Sequence, residues 1–155
     1  MVATWQNELQ QFALDSGLGI PITLSSDPQH GWTDDTAVSN LGSALSRWTE
    51  PMGIAALRDP ALARRFADIA RQEYIAVGLR QALHPQVDLV TEPRWGRSGG
   101  TLGEDANLTS SMLVEYIQGL QGAEIGPESV IATTKHFPGA GPAENGEDGH
   151  FPWVS

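Results

Sequence analysis

Lys135 and His136 stand side by side between the run Val130-Ile131-Ala132-Thr133-Thr134 and the break Phe137-Pro138-Gly139. An ammonium and an imidazole can bind a polar ligand or carry a proton, but they can equally be a solvated lysine beside a loop histidine. β-Branched residues suit a pleated strand and Pro-Gly ends it, so the run reads as a short buried strand and the pair falls at its C-terminal end. In parallel α/β architectures that end carries the ligand-binding loops. Asp27 occupies the same kind of place, behind Ile20-Pro21-Ile22-Thr23-Leu24, although Asp before Pro is also a turn former in its own right. A third cluster, Arg94-Trp95-Gly96-Arg97, sets two guanidiniums around an indole. Planar donors beside an aromatic face suit hydroxyl-rich rings, and the competing role for one of the two arginines is a staple to Glu92, Glu104 or Asp105.

The elements that must position these groups follow from periodicity. Trp5 to Ser16 reads as an amphipathic helix with Leu9, Phe12, Ala13 and Ser16 on one face, stopped by Gly17. A strand is expected at Ile20–Leu24, with Pro near its start. From Trp32 to Pro60 periodicity is weak, which predicts a long loop holding one helical turn. Asp59 as N-cap and Pro60 at the first helical position open a helix to about Val77, with Leu62, Phe66, Ile69 and Ala70 inward and Gly78 closing it. Its Arg64, Arg65 and Arg71 read as a solvated face. A short strand at Gln81–Leu83 has a broken extension through His84-Pro85. The next helix, Asp105 to Leu120, directs Leu108, Met112, Leu113, Tyr116, Ile117 and Leu120 to the core and ends at Gly122. After the strand before Lys135 comes a loop from Gly139 to Ser155 that concentrates Glu144, Glu147, Asp148 and His150.

Strands alternating with helices mean parallel βα units. A complete (β/α)8 barrel needs about 200 residues or more. The 155 residues therefore predict an α/β fold that is part of a TIM-type barrel, with roughly three to four βα units, and residues 1–155 are expected to lie within one such domain.

Composition closes off several functions. A formal charge of −10 with only nine Lys and Arg argues against nucleic acid, whose binding is driven by basic clusters. Zero Cys removes disulfides, thiol catalysis and thiolate metal sites. His30, His84, His136 and His150 form no His-x-x-x-His pair, and Gly139-Ala140-Gly141 lacks the spacing of a phosphate loop, so neither metal nor cofactor is expected. No run reaches transmembrane length and Met1 to Asp15 shows no signal peptide, which leaves the compartment open. Unpaired outer strands of an open barrel predict self-association.

Three stretches, taken in order, resemble the N-terminal barrel domain of glycoside hydrolase family 3, the group containing β-glucosidases and β-N-acetylhexosaminidases. Ile20-Pro21 through Asp27-Pro28-Gln29-His30-Gly31 is similar to the family's apolar strand followed by Asp-x-x-His-Gly. Pro93-Arg94-Trp95-Gly96-Arg97 with Thr101-Leu102-Gly103-Glu104-Asp105 is similar to its Arg-Trp-Gly-Arg and Thr-Phe-Gly-Glu-Asp pair, and Lys135-His136-Phe137-Pro138-Gly139 completes the set. Order and spacing over residues 20 to 139 make the likeness specific, and it covers nearly the whole chain.

The resemblance implies a retaining, exo-acting β-glycosidase of the β-glucosidase kind, hydrolysing terminal β-D-glucosyl residues of a β-linked glycoside or oligosaccharide. Asp27 would accept hydrogen bonds from hydroxyls of the sugar in the −1 subsite, Arg97 would donate to neighbouring hydroxyls, and Lys135 and His136 would hold the same ring. Arg94, Glu104 and Asp105 would brace the loop. Such charges around one pyranose can strengthen their grip as the ring flattens toward an oxocarbenium ion.

Departures from the family pattern bear on the chemistry. Ser98-Gly99-Gly100 stands where the family often has a Glu. The family's nucleophilic Asp lies on a later strand in a Ser-Asp-Trp-like setting, and no such motif occurs before Ser155. The first barrel strand is missing upstream of Trp5, so the chain is expected to be truncated at both ends, without its nucleophile, and inactive alone. For the acid/base, Asp148-Gly149-His150 has the Asp-x-His form of the hexosaminidase branch. Ala140 replaces that branch's usual His, however, and the dyad falls about two residues late. The loop is closer to glucosidase types, whose acid/base comes from a later domain. Asp148 and His150 are therefore left between a dyad and a loop-stabilising or subsite role, and a non-catalytic sugar-binding fragment remains a further reading.

Overall fold

The computed structural model describes residues 2–28, 30 and 45–150; Gln29, Gly31 and most of the long loop after it, and the last five residues of the final loop, lie outside them. The elements run α1 (Val2–Asp15), β1 (Ser25–Ser26), α2 (Pro51–Ala56), α3 (Pro60–Ala76), β2 (Gln81–Ala82), α4 (Ala106–Gln121) and β3 (Ile131–Ala132). Two 3-10 turns, Ser98–Gly100 and Glu144–Gly146, sit in the loops after β2 and β3. The expected helical turn in the long loop is α2.

Both long helices start where capping chemistry demands. Asp59 accepts the amide of Ala61 and Asp105 accepts those of Asn107 and Leu108, which satisfies N–H groups that a helix leaves orphaned at its first turn. Ala63, Phe66, Ala67, Ala70 and Tyr74 of α3 are buried against Thr109, Met112, Tyr116, Gly119 and Leu120 of α4. The Phe66 and Tyr116 rings meet edge to face at 5.6 Å. Gly119 is required by this contact: a Cβ there would lie 2.5 Å from the Arg64 carbonyl oxygen and 2.6 Å from the Ala67 Cβ. Close approach therefore selects small residues at the seam. That is why Ala63, Ala67 and Gly119 are inside, whereas Leu62, Ile69, Leu113 and Ile117, expected at the centre, are only half-buried.

The sheet is parallel, ordered β1-β2-β3, with Ser25 and Ser26 opposite Gln81 and Ala82, and these opposite Ile131 and Ala132. A further rung pairs Gln86 with Lys135, where the Val87 amide donates to the Lys135 carbonyl at 2.7 Å. Four expectations are corrected here. Ile20–Leu24 is not a strand: the Gln10 side-chain amide takes both the N–H and the C=O of Ile22, so this segment docks on α1, and the ladder begins only at Ser25. The last strand is not buried throughout, because Ile131 is 56% exposed on an outer strand. Phe12 of α1 is 70% exposed, and the buried residues of that helix are Gln6 and Ala13. Arg71 is likewise no solvated side chain. It bonds Asp68 and the Glu128 carbonyl, tying α3 to the turn before β3.

Candidate functional site

Parallel register brings the C-terminal ends of all three strands to one edge, and the polar residues follow within a few positions: Asp27 after β1, His84 after β2, Lys135 and His136 after β3. Lys135 Nζ donates to Asp27 Oδ1 at 2.7 Å, across 108 residues of sequence. His84, buried beneath them, puts Nε2 at 3.4 Å from the same oxygen. Burial opposes ionisation of Asp27, but the bonds from His84 and Lys135 outweigh it and hold the carboxyl down to about 2. Burial also pushes the His84 imidazole below its ordinary value, and the charges of Lys135 and Arg97 reinforce that against the Asp27 carboxylate. His84 is thus a neutral ring under a charged pair.

The second group is built on His136. Its Nδ1 lies 2.8 Å from Asp88 Oδ2, its Nε2 lies 3.3 Å from Arg97 Nη2, and the Ala140 amide donates to Asp88 Oδ1 at 2.6 Å. Burial raises the Asp88 carboxyl, but the bonds from His136 and the Ala140 amide more than offset it, so it stays below the ordinary carboxylate range. The extra rung between Gln86 and Lys135 is what aligns the two post-strand segments for this contact.

Arg97 also packs over the Trp95 ring, with Cζ 5.8 Å from the centroid, and its Nη1 lies 3.9 Å from Asp148 Oδ2. Asp148 receives the Trp95 indole N–H at 2.8 Å and the His150 amide at 3.0 Å, and it also contacts His150 Nδ1. Burial would raise Asp148, yet the His150 contacts, the Trp95 bond and the Arg97 charge bring it to about 2. Arg94, by contrast, is closed on Glu92 through two bonds, at 2.9 and 2.8 Å, and is the loop staple of the two arginines. Asp105 is spent on the α4 cap. His30 lies away from the cluster, 2.7 Å from Glu73 Oε2 on α3.

The four side chains singled out in the sequence therefore meet at one edge, and each keeps part of its surface in solvent: 22% for Asp27, 32% for Arg97, 21% for Lys135 and 32% for His136. One carboxylate, one ammonium, one guanidinium and one imidazole, half-exposed together, can bracket a ligand carrying several hydroxyls. Sequence reasoning did not single out His84 or Asp88. Both stand just beyond β2, His84 in the stretch taken for a broken strand and Asp88 at the start of the loop to Arg97, and a polar residue in that post-strand position was the available signal. Among the described residues no group of three or more His, Asp and Glu side chains is placed to hold a metal ion.

A parallel α/β unit with its polar cluster at the strand ends is the class that this fold and site define. The family model for the glycosyl hydrolase family 3 N-terminal domain matches residues 2–154, and the chain belongs to that family. A probable β-glucosidase C from Aspergillus flavus is 56% identical over 149 residues, covering 96% of this chain and 24% of that protein. A periplasmic β-glucosidase/β-xylosidase from Dickeya chrysanthemi is 48% identical over 151 residues, with 96% and 23% covered. A variant β-glucosidase from Listeria innocua, solved in complex with laminaribiose, superposes with a TM-score of 0.81 at 28% identity, over 94% of this chain and 19% of that one. The chain spans about a quarter of the length of the two curated relatives. Its fold is thus a mixed α/β arrangement with a small parallel sheet, like that of family 3 N-terminal domains.

Proposed function

We propose that this chain supplies the −1 sugar-binding subsite of a retaining, exo-acting β-glucosidase, within a partial (β/α)8 barrel of which the three strands and the helices between them are consecutive βα units. In this reading Asp27 accepts from sugar hydroxyls, Arg97 and Lys135 donate to their neighbours, and His136 completes the ring of contacts. The observation that carries it is the 2.7 Å contact between Asp27 and Lys135 beside the Arg97–His136 pair, four half-exposed groups drawn from three strand ends. Relatives named for glucoside and xyloside hydrolysis support the sugar class. A retaining glycosidase needs two carboxyl groups about 5 Å apart. In this reading Asp27 binds the sugar, Asp88 is buried behind His136 and Asp148 holds the loop, so the nucleophile is assigned to another residue.

The test is titration of glucose into the 155-residue chain, with Asp27→Asn and Lys135→Met as comparisons. Saturable binding by the parent that either change weakens about tenfold or more supports the subsite. Absence of binding, or normal turnover of an aryl β-glucoside by the chain alone, refutes the reading.

The contact between Asp148 and His150 favours a second reading, an acid/base dyad of the hexosaminidase kind. It competes with the loop-holding bonds of Asp148 to Trp95. Preference for an aryl N-acetylglucosaminide over an aryl glucoside in the enzyme containing this sequence would select it.

A further inference from the structure

His136 is gripped from both sides, and the two grips agree. Asp88 has no exposed side-chain surface, so it cannot touch a ligand, and both of its oxygens are committed. One receives the Ala140 amide at 2.6 Å and the other faces His136 Nδ1 at 2.8 Å. An ionised carboxylate only accepts, so Nδ1 must be the protonated nitrogen. On the far side of the ring, Nε2 lies 3.3 Å from Arg97 Nη2, and a guanidinium only donates. Nε2 must therefore carry the lone pair. Two independent contacts specify one tautomer.

We propose that Asp88 is a positioning residue: it fixes His136 with Nδ1 protonated and Nε2 accepting from Arg97, and so sets the donor pattern that the cluster offers a sugar. The contact stands by itself; its consequence for a sugar rests on the subsite reading above. With one Arg97 N–H spent on Nε2, the guanidinium plane is set by the histidine and its remaining N–H groups point elsewhere. The same carboxylate pins the loop after Pro138 through Ala140. There is no slack at this point, since a Cβ on Gly141 would lie 1.7 Å from the Leu89 carbonyl oxygen.

An amide cannot do what this carboxylate does. Asparagine has one acceptor oxygen where two are needed. If that oxygen keeps Ala140, its NH2 meets Nδ1 and drives the proton to Nε2, against the Arg97 donor. If the oxygen keeps His136, the NH2 opposes the Ala140 N–H. Asp88→Asn therefore either switches the tautomer or frees the loop.

The test uses the full 155-residue chain, 15N-labelled, at pH 7. Two-bond 1H–15N correlation of the histidine rings gives the protonated nitrogen of each, and His136→Gln identifies which ring is which. Nδ1 protonation with a bare Nε2 at His136 in the parent supports the proposal. Nε2 protonation, or protonation of both nitrogens, overturns it, and this reading does not depend on Asp88→Asn folding. In Asp88→Asn either the His136 shifts should move toward the Nε2-protonated form or a mixture, or the Ala140 amide signal should move as its bond is lost; ring and Ala140 amide both unchanged overturn the proposal. With glucose as probe, Asp88→Asn should weaken binding about tenfold, and by less than about twofold once His136 is already Gln. An equal loss in both backgrounds means that Asp88 does not act through His136 and overturns the proposal. If the parent shows the expected tautomer but binds no glucose, the subsite reading fails and the positioning contact stands.

Discussion

Between α3 and α4, Phe66, Tyr74, Met112, Tyr116 and Leu120 are at most 2% exposed, whereas at the strand ends Asp27, Arg97, Lys135 and His136 each keep between a fifth and a third of their side-chain surface in solvent. The helix seam is held by dispersion and burial, with partners that recur every three or four residues along each helix. The strand-end cluster is held by charge-assisted bonds between residues 39, 48, 53 and 108 positions apart. The first kind of contact tolerates a change of shape at constant volume. The second does not tolerate a missing partner, because a half-buried charge is then left without compensation. Stability and ligand geometry should therefore respond to different substitutions.

The largest effect should come from the seam. Phe66→Ala empties a site lined by Trp48 and Tyr116 and should cost about 3–5 kcal/mol in urea unfolding. If the two regions are independent, that cost should be the same within about 0.5 kcal/mol when Lys135 is also replaced by Met; a larger departure would mean that core and cluster are coupled.

Next is the cluster's own contribution. Lys135→Met should cost about 1–3 kcal/mol at pH 7, because Asp27 keeps a part-buried charge with only the neutral His84 near it. The sign with pH follows from the depressed carboxyl. Stability from ionised Asp27 is present above its unfolded value of 3.8 and is lost as pH falls through about 2. The penalty of the substitution should therefore shrink across that window, and a pH-independent penalty would show that Lys135 packs rather than pairs.

A smaller loss should follow Asp59→Ala, about 1 kcal/mol, since it removes only the cap that receives the Ala61 amide. Glucose binding should not change. Smallest of all, Arg94→Ala removes an exposed pair with Glu92 and should leave the thermal midpoint where it was, while Arg97→Ala abolishes glucose binding at a similar midpoint. If the two arginines behave alike, the division between staple and ligand group is wrong.

The helices α3 and α4 were legible because everything that defines them is local: Asp59-Pro60, Asp105, the apolar spacing and the glycines at 78 and 122. So was the placement of Lys135 after a strand, since a β-branched run ended by Pro-Gly marks its own terminus, whereas Asp27 does follow a strand but one formed by Ser25 and Ser26 rather than by the run expected before it. The strand bounds were less legible. What competes for the backbone of Ile22 is a glutamine side chain twelve residues away, and no pattern in 20–24 reports it.

By itself the sequence determined which residue types are available at each strand end and how the two long helices begin and stop, because propensity and capping act over a few residues. The three-dimensional arrangement alone decided that Asp27 takes Lys135 as its partner, that Asp88 stands behind His136, and that Arg97 rather than Arg94 joins the cluster. Those choices depend on which strand lies beside which and in what register, and a hydrogen bond across a hundred residues leaves no local trace in the order of the amino acids.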